Sequence, residues 1–514
     1  MADAALLVRA DAGVAMGAGH LMRCLALVEA WQREGGQAVL LGHCPFPDLQ
    51  RRILRSGLRW VALDRPENDP TRLAASIRQA LGPLLESGAA AGPWVALDGY
   101  HFDFPCQQAV QETGCRLLVL DDFAHAGRYQ ADLLVDQNLN AQRIEYPHVE
   151  GITLLLGPRY VLLRSEFRAW QNWQRTVPPR ARRVLVTMGG SDPGNATARV
   201  LDALANSAAA DLEARGFVGP GNPHLQALRE LIAALAGRIE LLIDVADMAE
   251  TMAWADVAIS AAGSTCWELA AMQLPALLLP IAANQHSVAV ALQAAGVAEN
   301  LGPAEQAAPQ AIAAALSRLC DDQPRRTAYA AAGRRLIDGG GADRVVAVMQ
   351  AIDRPLPADQ VQLRRVAAAD SMPLWRLANE PSVRESSLST YPILLDEHEQ
   401  WFQDRIDNPR IRMWVLDFQG LILATIRYLR LDADTAEISL AVAPAFRHRG
   451  LGTRLLLETR TRACRDLQVS HLQAVVREEN HVSLQTFRKA GFKYLETQMV
   501  HGTSCHIFVQ RGTK

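Results

Sequence analysis

The sequence has almost no excess of charge of either sign. Its 514 residues carry 52 Lys and Arg against 55 Asp and Glu, for a formal net charge of −3. That near balance argues against a general binder of nucleic acid or of an anionic membrane surface. Long apolar runs are missing too, and no uninterrupted stretch approaches the ~20 residues of a membrane-spanning helix. The opening segment, Met1 to Arg9, lacks a basic region followed by a long apolar run, so it reads as a short first strand and not a signal peptide. Eight cysteines are scattered without a CxxC pair or any metal-ligand spacing. The expectation is reduced, buried thiols in a cytoplasmic protein, with no bound metal.

What the chain has is length and apolar content. Its residues are 49% hydrophobic, enough for large cores, and the length suggests roughly three domains. Two polar, Pro-containing stretches, Trp170–Arg183 and Asp353–Asp359, read as linkers and set the expected domains at 1–175, 181–352 and 361–514. In the first domain, short apolar strands are expected at Ala5–Val8, Ala38–Leu41, Trp94–Leu97, Leu117–Leu120 and Leu133–Val135. In the second they are expected at Arg183–Met188, Ile239–Ile243, Val257–Ser260 and Ala276–Leu279. Ala/Leu-rich helical stretches separate them. The alternation predicts an α/β fold: two Rossmann-like halves with parallel sheets covered on both faces, facing a cleft, with ligands at the C-terminal strand ends.

In the last third, a strand-like run, Glu437–Val442, leads into Arg447-His448-Arg449-Gly450-Leu451-Gly452-Thr453 and an amphipathic helix. A basic turn that opens a helix aims unpaired N–H groups and the positive end of the dipole at one point, which suits a pyrophosphate. Glycines at 450 and 452 let the backbone come close to a ligand. The pattern Arg-x-x-Gly-x-Gly, met by Arg447, Gly450 and Gly452, resembles the acetyl-coenzyme A loop of the GNAT acetyltransferases. A strand at Leu472–Val476, then Glu479-Asn480-His481-Val482-Ser483, a helix through Phe487 and Ala490-Gly491-Phe492 follow in that family's order, so the likeness covers about Val361 to Lys514.

The resemblance implies an α+β acetyltransferase that uses acetyl-CoA. It places the pyrophosphate on Arg447, Arg449, Gly450, Leu451, Gly452 and Thr453, and the pantetheine arm on the backbone at Leu440 and Val442. Asn480 and Ser483 are expected near the pantetheine or thioester end, with helix capping as the alternative. Glu437 is a candidate to hold the water that deprotonates the amine, or else a charge on the solvent face of its strand. The tyrosine that many members use to protonate the leaving thiolate is Phe487 here, which has no proton to give.

The first segment opens with a strand, a loop containing Gly17 and Gly19, and a helix starting near His20. That puts His20 at the cleft, where its side chain suits proton transfer near neutral pH, or simply packs the turn. Gly189-Gly190-Ser191 and Ala262-Gly263-Ser264-Thr265 each read as a strand-to-helix turn able to cradle a diphosphate. One turn further on, Glu268 is placed to accept from ribose hydroxyls or to complement the helix dipole. Asn284 and Gln285 serve as substrate contacts or helix caps.

Gly17-x-Gly19-His20-x-x-Arg23 resembles the opening of the UDP-sugar hydrolases of pseudaminic acid biosynthesis. Asp98-Gly99-Tyr100, Asp121-Asp122, Asp136-Gln137-Asn138, the Gly190, Gly263 and Glu268 segments and Asn284-Gln285 follow in order, from about Ala4 to Asp353. The resemblance implies a glycosyltransferase-B architecture, release of UDP with inversion and no required metal. Within it His20 is the expected general base, Asp11 and Tyr100 support the sugar or His20, and Gly17, Gly19 and Arg23 join the substrate contacts.

The acetyltransferase part resembles the N-acetyltransferase of the same pathway. The two activities would then be consecutive. Acetyl-CoA acetylates the 4-amine of UDP-4-amino-4,6-dideoxy-N-acetyl-β-L-altrosamine, and water then cleaves UDP-2,4-diacetamido-2,4,6-trideoxy-β-L-altropyranose. Partners on this view are UDP-amino sugars and acetyl-CoA, with no nucleic acid and no membrane. Two alternatives stand beside it: a glycosyltransferase that passes the sugar to an acceptor, fused to the acetyltransferase, and the same two chemistries in another nonulosonic or amino-sugar pathway.

Overall fold

The computed structural model describes residues 5–511, except 14–16, 56, 87–91, 191, 206–210, 220–221, 235–238, 244 and 246. Ser191 of the expected diphosphate cradle therefore lies outside the described residues. Two compact units result: residues up to Val346 without 149–153, and 149–153 with Ala347 onward.

The first unit holds two parallel sheets. One contains β1 (Ala5–Ala10), β2 (Gln37–Gly42), β3 (Arg59–Ala62), β4 (Trp94–Asp98), β5 (Arg116–Leu120), β6 (Leu133–Asp136) and β7 (Thr153–Leu156), in the order β3-β2-β1-β4-β5-β6-β7. The other contains β8 (Arg183–Thr187), β9 (Glu213–Val218), β10 (Ile239–Ile243), β11 (Val257–Ser260), β12 (Ala276–Leu278) and β13 (Ala298–Asn300), in the order β10-β9-β8-β11-β12-β13. Every residue of β1, β4 and β11 is buried, as strands covered by helices on both faces must be. The order reverses between β1 and β4 in the first sheet and between β8 and β11 in the second. At such a switch point the neighbouring connections leave to opposite faces and open a crevice at the C-terminal strand ends.

The second unit carries a mixed sheet of β14 (Gln362–Arg365), β15 (Ile411–Phe418), β16 (Leu421–Arg430), β17 (Thr435–Val442), β18 (His471–Arg477), β19 (Lys493–Val500) and β20 (Thr503–Arg511), in the order β14-β15-β16-β17-β18-β20-β19. All its pairs are antiparallel except β17 with β18. That pair is in register only from Thr435 with His471 to Ile438 with Ala474. Beyond it the strands part, and the backbone of Ser439–Val442 keeps hydrogen bonds only toward β16.

All eight cysteines are free and buried. Among the described residues no group of three or more His, Cys, Asp or Glu side chains is placed to hold a metal, and no helix is long and apolar enough to cross a membrane.

Candidate active sites

The crevice at the end of β1 and β4 contains a cluster of buried charges. Gly13 and Gly17 close a small loop through paired backbone hydrogen bonds, for which Gly17 adopts a φ of 75°. The helix Gly19–Arg33 starts immediately after, and His20 and Arg23 lie one turn apart on its buried side. His20 Nδ1 lies 2.6 Å from Asp98 Oδ1, at the end of β4. Arg23 donates from Nε and Nη2 to the two oxygens of Asp98, each at 2.6 Å. It also donates from Nη1 and Nη2 to Asp122, at 2.8 and 3.0 Å. Tyr100 donates its hydroxyl to Asp122 at 2.9 Å and sets its ring edge-on to His20, with centroids 4.9 Å apart. Asn138, after β6, adds a hydrogen bond to Asp122 at 3.1 Å.

Two carboxylates and one guanidinium leave this cluster one negative charge in excess. Burial alone would push Asp98 up, but the Arg23 and His20 charges hold it far below the usual carboxylate range. Asp98 therefore stays ionised and accepts from His20 Nδ1–H, which leaves the Nε2 lone pair as the basic site.

Asp11, expected to support the sugar or His20, is held by Arg9 at 2.5 Å, by the backbone N–H of His43 at 2.7 Å and by His101 at 3.1 Å. Buried Arg9 requires that counter-charge. Arg23, an expected substrate contact, gives its donors to Asp98 and Asp122. Asp98 and Asp122 stand in motifs legible in the sequence, but only the fold shows that they share one arginine. Asp121 belongs to a turn instead: it accepts from the N–H groups of Phe123 and Ala124, at 2.8 and 3.0 Å, and from the Tyr129 hydroxyl.

The loops after β8 and β11 meet at the second switch point. Gly190 is exposed, and Asp192 caps the helix Ala196–Ala205 through the N–H groups of Ala196 and Thr197. A Cβ on Gly219 would lie 2.4 Å from the carbonyl of Gly190, so the loop after β9 closes tightly on this turn. Gly263 is half-buried, Ser264 exposed and Thr265 half-buried at the start of the helix Thr265–Ala271. A Cβ on Gly19 would sit 3.5 Å from Ser264 Oγ, which puts the two halves' loops face to face in the crevice. Arg164 donates to Glu268 from Nε at 3.0 Å and lies 2.8 Å from it through Nη2. Burial nevertheless pushes the Glu268 carboxyl up, against the pull of Arg164. Gln285 accepts from the N–H of Ile281 at 3.0 Å, while Asn284 is exposed.

In the second unit, Gly450 caps the helix Leu451–Leu467 with a φ of 76°, a left-handed conformation that favours glycine. Arg454 N–H bonds the Gly450 carbonyl at 2.9 Å, and helix geometry leaves the N–H groups of Leu451, Gly452 and Thr453 without acceptors of their own. A Cβ on Gly452 would come within 3.2 Å of Leu440 and Thr486 side chains, so the helix start is pressed against β17. Arg447 hydrogen-bonds the Val442 carbonyl at 3.3 Å and faces Glu380 at 3.8 Å. Leu440 and Val442 lie on the segment where β17 and β18 part, and Glu437 is half-exposed on the same strand.

Arg449, expected at the pyrophosphate, donates its guanidinium to the carbonyls of Ala351, Ile352 and Arg354, at 2.5, 2.8 and 2.9 Å. Asn480 caps the helix His481–Lys489 by accepting from Ser483 N–H at 3.0 Å, so this pair realises the capping alternative. Phe487 packs against Phe492 and Phe508 in the core.

Residues 184–337 match the Glycosyltransferase family 28 C-terminal domain and residues 360–493 the Acetyltransferase (GNAT) domain. A spore coat polysaccharide biosynthesis protein of Bacillus subtilis is 30% identical over 40% of this chain and 60% of its own length. The UDP-N-acetylglucosamine--N-acetylmuramyl-(pentapeptide) pyrophosphoryl-undecaprenol N-acetylglucosamine transferase of Acidithiobacillus ferrooxidans is 34% identical over 68% of this chain and 97% of its own. The chain spans 60% and 54% of the lengths of the first relatives it matches. Among solved structures, the spermidine N-acetyltransferase of Vibrio cholerae in complex with CoA and spermine covers 30% of this chain and 96% of its own, with 16% identity and a TM-score of 0.28.

Proposed function

Because the chain belongs to the family-28 glycosyltransferases over its first two-thirds and carries a GNAT acetyltransferase domain behind them, we propose that it is a bifunctional sugar-nucleotide enzyme. Its domains are taken as 1–175, 181–352 and 361–514. The acetyltransferase part acetylates the 4-amine of a UDP-4-amino-4,6-dideoxy-N-acetyl-altrosamine. The family-28 part then hydrolyses the diacetamido product to UDP and free sugar, as in pseudaminic acid synthesis. The observation that carries the hydrolytic step is the His20–Asp98 pair at the first switch point, 2.6 Å apart and backed by Arg23 and Asp122.

In that step His20 Nε2 takes a proton from water as the water oxygen forms its bond to the anomeric carbon. The bond from that carbon to the β-phosphate oxygen breaks, and its electron pair leaves with UDP. Asp98 holds the imidazole and offsets its new charge. The turns at Gly190 and at Gly263 to Thr265 hold the diphosphate through N–H groups, Glu268 takes the ribose, and Asn284 and Gln285 add hydroxyl contacts. Tyr100 braces His20.

Acetyl-CoA supplies the activated acetyl thioester. The free N–H groups of Leu451, Gly452 and Thr453, with Arg447, fit its pyrophosphate, and the unpaired edge at Leu440 and Val442 fits its amide-bearing arm. The acceptor amine bonds to the acetyl carbon, the carbon–sulfur bond breaks and the thiolate takes up a proton. Glu437 relays the amine proton to solvent.

The test is mass spectrometry and proton NMR on the purified chain with acetyl-CoA and the UDP-4-amino sugar. Diacetylated nucleotide, then free diacetamido sugar and UDP, is the expected sequence, and His20→Ala should stop it at the nucleotide. The family-28 relatives named as transferases favour a second reading, in which an acceptor hydroxyl replaces water. Acetylation without UDP release until an acceptor is added selects that reading.

A further inference from the structure

Two arginines of the second unit converge on one indole. Arg405 and Arg427 lie over the Trp401 ring, 5.1 and 5.3 Å from its centroid. Arg405 donates only weakly, to the Trp401 carbonyl at 3.4 Å, and Arg427 to the Ser439 hydroxyl at 3.3 Å. Among the described residues neither has a carboxylate within ion-pair distance. Elsewhere in this unit Arg364 is paired with Asp370 and Asp417, and Arg449 is satisfied by three carbonyls. Burial and the neighbouring Arg405 both depress the Arg427 guanidinium, with Glu437 pulling the other way. Two like charges kept together, half out of water, cost stability unless an anion joins them.

Their place says which anion. Arg427 on β16 is opposite Ser439 on β17, and Glu437 is two residues along β17 on the same face. Trp401 packs against the cluster that includes Ala441, again on that face. The arginines therefore flank the stretch of β17 where it parts from β18 and where the acetyl group would be presented. Two guanidiniums without a carboxylate, coupled to one another and seated on one indole, match a diphosphate.

We propose that Arg405, Arg427 and Trp401 form a clamp for the nucleoside diphosphate of the acetyl acceptor, giving the chain a second UDP site besides that of the family-28 part. The inference rests on the reading of the acceptor as a sugar nucleotide. The diphosphate lies on the guanidiniums, which the Trp401 ring backs, and the sugar amine reaches toward Glu437.

Calorimetry with UDP on the full chain tests it, comparing wild type with Arg405→Gln/Arg427→Gln. Two sites in wild type and one in the variant are expected, with acetyl-CoA affinity unchanged. The KM for the amino-sugar nucleotide in acetylation should rise roughly a hundredfold with kcat within threefold. Arg427→Lys, which restores a charge but not the fork, should recover part of the loss. One UDP site in both proteins, or a variant that loses acetyl-CoA instead of UDP, overturns the clamp and leaves the nucleotide reading of the first part standing. No UDP bound by wild type overturns both.

Discussion

Replacing Asp98 by Asn keeps the shape of the first crevice and removes the charge behind His20. At the ~3 Å of such a contact and an effective dielectric of ~20, one charge is worth about 5 kcal/mol on the imidazolium. Arg23 is present in both proteins and cancels from the difference, and solvent screening in the crevice cuts the remainder to about 3 kcal/mol, or more than a hundredfold in turnover. UDP release at fixed pH reads the loss. Acetylation by the same chain, which uses none of these residues, serves as an internal control for folding. Turnover within fivefold of wild type would refute the assignment of Asp98 as the group that positions His20.

Other predictions follow from neighbouring residues. Asp136 is pushed up to about 7 by burial, despite the Tyr146 hydroxyl at 2.8 Å and two donors from Asn138. Its folded value is raised, so its contribution is favourable at low pH and is lost as pH rises through about 7. Asp136→Asn should therefore gain stability relative to wild type between pH 5 and pH 8, by about 1–3 kcal/mol in urea unfolding. Asp11 has the opposite sign. Burial raises it, yet His101 and Arg9 bring it down to about 2, so its contribution is present above pH ~4 and is lost as pH falls toward 2. Asp11→Asn should cost about 2 kcal/mol at pH 7 and little at pH 2. Gly450→Val forces a β-branched residue to a φ of 76°. Acetyl-CoA should bind roughly tenfold more weakly while UDP release is unchanged, as calorimetry and the release assay would show.

The alternation of apolar strands with helices made the two parallel sheets legible, because strands buried on both faces show as short apolar runs. Less apolar strands escaped: β3 begins at Arg59, and β9 interrupts its apolar residues with Arg215 and Gly216. Glycine-rich turns were legible for the same reason that they work, since the backbone conformation restricts the residue type. Side-chain pairing was not. Arg23 in a glycine-loop motif suggests a substrate contact, and only the neighbourhood of β4 and β5 shows the two carboxylates that it bonds. Asp11 follows β1 and is near His20 in sequence, but the helix start turns His20 toward β4. Asn480 carries a capping signature that was visible and holds.

The seat of Arg449 changes what counts as one folding piece. A protein cut at residue 361 would keep the Gly450 turn but lose the three carbonyls that hold this guanidinium at Ala351, Ile352 and Arg354. The stranded charge would stand beside that turn without its acceptors, free to unravel its neighbours. The acetyltransferase taken at 361–514 thus leans on the end of the helix Gly341–Asp353, on the far side of the proline-rich connector. Any rearrangement that transplanted this domain onto another protein would have to carry that last helical turn along.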